Sequence, residues 1–281
     1  MNPNKIIIFT TRCGFYISHS IQYLLSKNSI ESEIVESILP SLPNLFIILF
    51  PHKIKVFPKN YIVYQLEQKD ISNWIDQKYL LSIYHSICTL DYSESNIKKF
   101  DPTLQKKIKL FQIPFLLYKD IFPNIVLPSY TKNYILFYGH MNNRRRRFLS
   151  VIQQKYPIKI VNNVYGHELY KHILESKIVL NIHFYEGAIL ETCRINECLS
   201  CEKLIISEPP NIIDVKNYEY YKDKIVFFNS IKELFEKIDY YLKEENNEEI
   251  YNEKIKSNYE FIKQNEIESM NDITSYVRNA Q

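Results

Sequence analysis

The arrangement that most constrains the fold is a short apolar run followed by a turn and an amphipathic stretch, which opens both halves of the chain. The runs are Lys5 to Thr10, with Gly14 in the turn that follows, and Tyr134 to Tyr138, with Gly139 in the turn. Strands that alternate with helices in this way are typical of α/β proteins with parallel sheets. We therefore predict an α/β fold whose ligands bind beyond the carboxyl ends of the strands.

The length of the chain favours two domains over one. Single cores rarely grow beyond roughly 250–300 residues, and this chain has 281 residues, 46% of them hydrophobic. Three prolines and little periodicity between Gln112 and Lys132 indicate a linker between two Rossmann-like domains that face a cleft. The predicted division is an N-terminal domain of residues 1–118, a linker of 119–132, a C-terminal domain of 133–245 and a tail of 246–281.

Apolar residues at helical spacing predict the main helices. In the first half we expect a helix over Ile71 to Tyr84, and in the second half helices over Asn143 to Gln154 and Glu191 to Ser200. The charged tail is also predicted to be helical. Its Tyr259 and Ile273 suggest an apolar stripe that would pack back on the N-terminal domain, and the alternative is a solvated helical face.

Charge and composition argue against several classes of partner. The formal net charge is only +3, so no strong field exists for gripping a nucleic-acid backbone or an acidic membrane. No run approaches the roughly 20 apolar residues of a transmembrane helix. The five cysteines are an odd number, which fits a reducing compartment better than a disulfide framework. We expect a cytoplasmic protein with no nucleic-acid partner and no transmembrane segment.

Four consecutive arginines follow the strand and turn that open the second half. The segment predicts a strand, a turn at Gly139 and the first turn of a helix that carries Arg144 to Arg147. Free N–H groups and the positive end of a helix attract phosphate, and arginine adds bidentate hydrogen bonds. Because successive helical residues point about 100° apart, two of the four can reach one ligand and the others should be solvated. The alternative is an exposed basic run.

A second polar cluster follows a later strand. That strand ends at His183, and the helix after it carries Glu191, Arg194 and Glu197 at three-residue intervals. Residues at this spacing largely share one side of a helix. A row of acid, base and acid that faces the carboxyl ends of strands can bind hydroxyl and phosphate groups together. The alternative is an exposed ladder of ion pairs, which contributes little to stability.

Three segments of the second half resemble the C-terminal domain of GT-B glycosyltransferases of the broad group 1 and CgeB-like type. They are FYGHMNNRRRRFL, VYGHELYKHILESKIVLNIHFYE and ETCRINECLSCEKLIISE. In the first half, YIVYQLEQ at 61–68 and LDYSESNIKKF at 90–100 resemble the same group, so the matches touch most of residues 1–245. The resemblance implies a nucleotide-diphosphate sugar donor held by the C-terminal domain. It also implies a glycan or glycoconjugate acceptor held mainly by the N-terminal domain.

The resemblance also implies roles for particular residues. Glu197 matches the glutamate that binds the donor ribose, and the turn at Arg144 to Arg147 matches the basic residue that binds the diphosphate. Related retaining enzymes carry two glutamates separated by seven residues, but Ile189 stands eight positions before Glu197, so the stereochemistry stays open. The expected donor-binding residues are Gly139, Asn143, Arg144, Arg145, Arg146, Tyr165, His183, Glu191, Arg194 and Glu197.

Metal and cofactor motifs are missing from the sequence. No Asp-x-Asp occurs, which removes the usual ligand for a metal and a diphosphate, and no GxGxxG occurs, which argues against a dinucleotide-dependent oxidoreductase. Cys198 and Cys201 form a CxxC inside a predicted helix without a second pair, so we expect buried thiols in preference to a zinc site. We therefore expect catalysis without a metal or a cofactor, the sugar nucleotide being a substrate.

Two residues of the N-terminal half are candidates for the catalytic base. Glu67 lies at the carboxyl end of a predicted strand, and His19 lies one turn into the first helix. The alternatives are a surface carboxylate for Glu67 and a partly buried polar residue for His19. The sequence thus predicts a metal-independent glycosyltransferase, with a UDP donor ahead of GDP. The competing hypothesis is a noncatalytic Rossmann-type nucleotide- or nucleic-acid-binding protein that uses the arginine run on phosphate.

Overall fold

Two parallel β-sheets with flanking helices form the computed structural model, which describes residues 4–112, 116–124, 132, 134–242 and 248–280. The chain divides into one unit of Met1–Phe115 with Asn265–Gln281 and a second unit of Leu116–Gln264. Each unit contains one sheet, which confirms the predicted α/β fold class. Half of the predicted linker, residues 125–131, lies outside the described residues, as do residues 133 and 243–245 of the predicted C-terminal domain and residues 246–247 and 281 of the predicted tail.

The sheet of the first unit has six parallel strands. They are β1 (Ile6–Phe9), β2 (Ser32–Val35), β3 (Phe46–Ile48), β4 (Tyr61–Gln65), β5 (Thr89–Asp91) and β6 (Ile108–Leu110). Their order across the sheet is β2-β1-β3-β4-β5-β6. Because every pair is parallel, all six strands end at the same edge, where this class of sheet binds ligands.

Four helices accompany these strands, namely α1 (Phe15–Lys27), α2 (Gln77–His85), α3 (Glu94–Ile97) and α4 (Pro102–Gln105). The helix predicted over Ile71 to Tyr84 begins only at Gln77. The reason is local, because the Asp76 side chain caps α2 by accepting a hydrogen bond of 2.8 Å from the Tyr79 N–H. Short 3₁₀ turns at Arg12–Gly14 and Pro51–Lys53 follow β1 and β3.

The sheet of the second unit has five parallel strands. They are β7 (Ile135–Tyr138), β8 (Ile158–Val161), β9 (Ile178–Asn181), β10 (Leu204–Ser207) and β11 (Val226–Phe227). The order is β11-β10-β9-β7-β8, so β7, β9 and β10 are neighbours and end side by side. Ile135, Phe137, Leu180 and Ile206 are fully buried in the core of this unit.

The helices of the second unit are α5 (Tyr118–Ile121), α6 (Asn143–Gln153), α7 (Gly166–Glu175), α8 (Thr192–Ser200), α9 (Val215–Tyr221) and α10 (Ile231–Leu242). The first residues of the predicted linker are therefore helical. Their packing explains this, because the buried Tyr118 ring lies 4.0 Å from the ring of Tyr170.

The tail is helical, as the sequence predicts, and forms helix α11 (Glu248–Ala280). Its last part belongs to the first unit, where the rings of Tyr276 and Phe111 lie 6.1 Å apart and Ile273 is fully buried. Over the described residues, no helix combines the length and the apolarity needed to span a bilayer.

Candidate functional site

The turn after β7 brings a backbone segment against an arginine side chain. Gly139 has φ of +123°, and a Cβ built on it would lie 2.6 Å from Nη2 of Arg194. Any other residue would be strained and would displace the guanidinium group. Helix α6 then begins at Asn143, because the Asn142 side chain accepts a hydrogen bond of 2.9 Å from the Arg145 N–H.

We expect Gly139→Ala to lower the free energy of unfolding by about 1–3 kcal/mol, because alanine is strained at this φ and collides with Arg194. The matched control is Gly187→Ala. Gly187 also has a positive φ, of +66°, but there the nearest neighbour of an added Cβ is the Asn211 side chain at 3.3 Å. Urea unfolding of both variants tests the expectation, and a loss at Gly139 no larger than that at Gly187 would contradict it.

The second arginine of the run, Arg145, is buried. Arg145 is 2% exposed, and its guanidinium donates to the carbonyls of Ile182 and His140 at 2.9 and 2.8 Å. A further bond of 3.1 Å goes to the Glu191 carboxylate. Burial, followed by the charge of Arg194, lowers the Arg145 pKa to about 10. The N–H groups of its guanidinium are thus hydrogen-bonded inside the protein. We infer that Arg145 supports the site without contacting the sugar nucleotide.

Glu191 lies between two guanidinium groups just before α8. Besides the hydrogen bond from Arg145, its carboxylate accepts one of 2.8 Å from Arg194 and one of 3.1 Å from the Phe184 N–H. Burial alone would raise the Glu191 pKa, but the charges of Arg194 and Arg145 outweigh it and lower that pKa to about 2. Arg194 donates a further bond of 2.9 Å to the Asn181 side chain. Two members of the predicted row, Glu191 and Arg194, therefore form a partly buried ion cluster with Arg145.

Arg144 is held by a carboxylate that the sequence reasoning missed. Its guanidinium forms a bidentate pair with Glu208 and donates 2.8 Å to the carbonyl of His183. The Glu208 carboxylate also accepts a hydrogen bond of 2.7 Å from the His183 N–H. The available signal was position, because Glu208 is the first residue after the buried strand β10.

The remaining expected donor residues differ in exposure. Asn143 and Arg146 are exposed on the first turn of α6, and Arg147 is exposed beside them. Tyr165, just before α7, is 40% exposed. His183 is only 3% exposed, and its Nε2 donates 3.1 Å to the carbonyl of Pro209, which ties it to the loop after β10.

Glu197 is half-buried on α8 near the end of β7. Its carboxylate accepts 2.9 Å from the hydroxyl of Tyr138, the last residue of that strand. Burial raises the Glu197 pKa to about 7, although the Tyr138 hydroxyl and the Arg194 charge act in the opposite direction. The side chain can therefore ionise near neutral pH and accept hydrogen bonds from hydroxyl groups.

In the first unit, the two segments YIVYQLEQ and LDYSESNIKKF meet in one hydrogen-bond network. The buried Gln65 side chain donates 2.9 Å to Asp91 and 2.7 Å to the carbonyl of Glu67. Asn96 donates to the same two residues at 2.7 and 3.0 Å. These hydrogen bonds fix the backbone of Glu67 just beyond β4, at the edge where the strands of the first sheet end.

The two candidate bases have different surroundings. The half-buried Glu67 carboxylate accepts 2.6 Å from the Ser72 hydroxyl, and burial raises its pKa while Ser72 and then Lys53 partly offset the effect. His19 is part of α1, where its Nδ1 donates 2.8 Å to the Phe15 carbonyl and its ring lies 4.1 Å from the Phe15 ring. A raised pKa makes the ionised Glu67 carboxylate a stronger proton acceptor.

The cysteine pair lies in the interior. Cys198 and Cys201 are buried free thiols, and the Cys198 sulfur lies 3.2 Å from the Tyr138 hydroxyl. Burial raises the Cys198 pKa to about 12, so this thiol stays protonated. Within the described part of the chain, no group of three His, Cys, Asp or Glu side chains is arranged to hold a metal ion.

Comparison with known proteins identifies relatives of the second unit. Residues 136–265 match the family described as glycosyl transferase-like. This segment contains the Gly139 turn, α6, the ion cluster and Glu197. Among curated proteins, no match to the chain was found.

Solved structures match over the full length of both units. An alpha-glucosyltransferase in complex with UDP-glucose and DNA containing an abasic site has a TM-score of 0.63 at 11% identity, covering 96% of this chain and 99% of its own. HepE from Anabaena in complex with UDP has a TM-score of 0.55 at 8% identity, covering 99% and 100%. A glycosyltransferase from Rickettsia africae has a TM-score of 0.51 at 11% identity, covering 100% and 99%. At these identities the likeness shows a shared fold.

Proposed function

We propose that this chain, a glycosyltransferase of the GT-B fold, takes its sugar from a nucleotide-diphosphate donor bound to the second unit. The proposal rests on the position and charge of Glu197. This half-buried carboxylate lies on α8, accepts a hydrogen bond from the last residue of β7 and has a pKa of about 7. It lies inside the segment that matches the glycosyl transferase-like family. Two hydroxyl groups of a donor ribose can donate to one ionised carboxylate, as the resemblance to the family implies.

The diphosphate of the donor is proposed to lie at the turn between Gly139 and α6. Arg144 and Arg146 begin that helix, and Arg194 lies against the turn. Fixed guanidinium groups and a helix N-terminus stabilise the negative charge that develops on a departing diphosphate. In this proposal Arg145 and Glu191 hold the turn and Arg194 in place, and Glu208 holds Arg144. The reaction is proposed to need no metal.

The acceptor hydroxyl is proposed to meet its base in the first unit. Glu67 is the preferred base, because its backbone is fixed at the sheet edge and its carboxylate has a raised pKa. A base must come within about 2.6–3.2 Å of the acceptor hydroxyl, directly or through one water. His19 is the second candidate, and its Nδ1 is already engaged with the Phe15 carbonyl.

We propose UDP ahead of GDP as the nucleotide and a glycan or glycoconjugate as the acceptor. UDP is supported by the two similar structures that contain UDP-glucose and UDP. One of those structures also contains DNA, which makes DNA an alternative acceptor. A net charge of only +3 gives little attraction for a duplex, and this favours the glycan. Duplex affinity that falls steeply with salt and exceeds affinity for UDP would favour DNA.

A thermal-shift screen of sugar nucleotides tests the proposed donor, because a ligand that binds only the folded state raises its melting temperature. UDP and UDP-sugars at 100 times their Kd should stabilise the protein by about 2.7 kcal/mol. GDP-sugars and NADH serve as controls that carry the same diphosphate charge as a UDP-sugar. Stabilisation by none of the nucleotides would overturn the proposed donor site, and stabilisation by GDP alone would overturn the preference for UDP.

The proposed role of Glu197 predicts a pH dependence. The ionised carboxylate accepts ribose hydrogen bonds and the protonated one does so poorly, so UDP affinity should rise with pH and level off above the Glu197 pKa of about 7. Between pH 8 and pH 6 we expect a loss of about tenfold in affinity. The terminal phosphate of UDP itself titrates near pH 6. Because Glu197→Gln lacks the carboxylate, its pH profile measures the effect of the phosphate alone. An identical pH profile in wild type and Glu197→Gln would contradict the assignment.

A further inference from the structure

A cavity of about 510 Å³ opens at the ligand-binding edge of the first sheet. It is lined by residues at or beyond the ends of three adjacent strands: Phe9 and Thr11 for β1, Glu36 and Ile38 for β2, and residues 53–56 after β3. Small-molecule sites of proteins usually measure about 300–1,000 Å³ and lie at this edge of a parallel sheet. Its size and place therefore suit a ligand.

The floor and the mouth of the cavity are apolar. Phe9 and Ile54 are 4% exposed members of the hydrophobic core, and Ile38 packs against the same core. At the mouth, the lining residue Val56 is 64% exposed. An apolar surface that continues from a core to solvent can cover an apolar group of a ligand.

The rim of the cavity is positively charged. Lys53 and Lys55 both contribute to the lining, and neither forms an ion pair with any described residue. The Lys53 ammonium lies 4.6 Å above the ring of Trp74. Glu36 is the one carboxylate of the lining, so the lysines exceed it by one charge. Lysine is a flexible point charge that suits a phosphate group.

The cavity also adjoins the proposed base. Lys53 lines the cavity, and its ammonium lies above the ring of Trp74. The backbone N–H of Trp74 donates a hydrogen bond of 3.3 Å to the Ser72 hydroxyl, which in turn donates a hydrogen bond of 2.6 Å to the Glu67 carboxylate. A molecule anchored in the cavity can therefore extend a hydroxyl group toward Glu67 within the first unit.

We propose that this cavity anchors the acceptor by an apolar chain with an adjacent phosphate, so that the acceptor is a lipid-linked glycan. The inference rests on the proposed function and names the acceptor class for it. The apolar floor receives the start of the chain, the two lysines receive the phosphate, and the glycan extends toward Glu67. A neutral glycan would leave the two lysines without an anion, and a bare phosphate would leave the apolar floor uncovered.

Octyl phosphate below its micelle concentration is the probe, measured by calorimetric titration of the full chain with saturating UDP present. Octyl glucoside has the same chain without the charge, and inorganic phosphate has the charge without the chain. Octyl phosphate should bind at least tenfold more tightly than either. Lys53→Gln and Lys55→Gln should each weaken it about fivefold. Lys98→Gln, on a surface lysine of the same unit, should leave it unchanged.

Three results would overturn the proposal. Equal binding of octyl glucoside would leave a purely apolar cavity, and equal binding of inorganic phosphate would leave a simple anion site. Unchanged octyl phosphate affinity in the Lys53→Gln, Lys55→Gln double variant would place the probe elsewhere. The UDP titration that precedes each measurement keeps the two proposals apart. If UDP does not bind but octyl phosphate binds as expected, the proposed donor site is refuted and the proposed acceptor cavity is supported.

Discussion

Glu191→Gln should lower the free energy of unfolding by about 3–5 kcal/mol, because it leaves two guanidinium groups near each other without a counter-charge. Arg145 is 2% exposed and Arg194 is tied to Asn181, so neither side chain can turn to water without breaking other bonds. Urea unfolding measures the loss. Glu186→Gln is the control, because Glu186 is exposed in the loop just before Glu191 and its loss should stay within about 0.5 kcal/mol.

The same cluster predicts how stability depends on pH. The Glu191 pKa is lowered from its ordinary 4.5 to about 2, so its ionised form favours the folded protein. That contribution is present above pH 4.5 and is lost as the pH falls toward 2. The difference in stability between wild type and Glu191→Gln should therefore shrink over this acid range. A constant difference from pH 7 to the acid unfolding limit would contradict the ion cluster.

Glu67→Gln should reduce kcat for sugar transfer by about 10²–10⁴ at saturating donor, because an amide cannot take the acceptor proton. The Glu67 backbone is held by Gln65 and Asn96, and an amide can still receive the Ser72 hydrogen bond. The fold and the affinity for UDP should therefore be preserved. Turnover with and without EDTA measures the effect, and the proposal of a metal-independent reaction predicts no difference on chelation.

His19→Ala is the companion variant, and we expect its turnover to stay within about tenfold of wild type. The hydrogen bond from its Nδ1 to the Phe15 carbonyl lies within α1. Loss of turnover at His19 with Glu67→Gln active would transfer the role of base to His19. Near wild-type turnover in both would remove the protein base, which fits a retaining mechanism in which the leaving phosphate takes the proton.

The fold could be predicted because the repeated strand–turn–helix pattern depends on local periodicity. The strands, the two sheets and the helical tail follow from it. Helix α2 begins at Gln77, six residues after the predicted start at Ile71. The apolar pattern extends back to Ile71, but the Asp76 side chain caps the helix and fixes its first residue at Gln77. The short helix α5 was missed because it depends on packing of Tyr118 against Tyr170, which a local pattern does not contain.

The site was predictable as a region and less so residue by residue. Four neighbouring arginines look alike in sequence, but helix α6 buries Arg145, pairs Arg144 with Glu208 and exposes the other two. Which face turns inward depends on the strands behind it, and β9 and β10 are far away in the chain. Glu208 was missed for the same reason. The link between Gln65 and Asp91 likewise joins residues that only the sheet brings together.

Calorimetric titration of UDP in the presence of EDTA, with wild type and Glu197→Ala, separates a metal-independent donor site at Glu197 from any other arrangement. We expect wild type to bind UDP without metal and Glu197→Ala to bind it about 10- to 150-fold more weakly, the cost of a charged hydrogen bond. Glu219→Ala, which removes an exposed carboxylate of the same unit, should bind like wild type. Equal affinity in wild type and Glu197→Ala would remove Glu197 from the donor site, and binding that disappears with EDTA would show that UDP binding needs a metal.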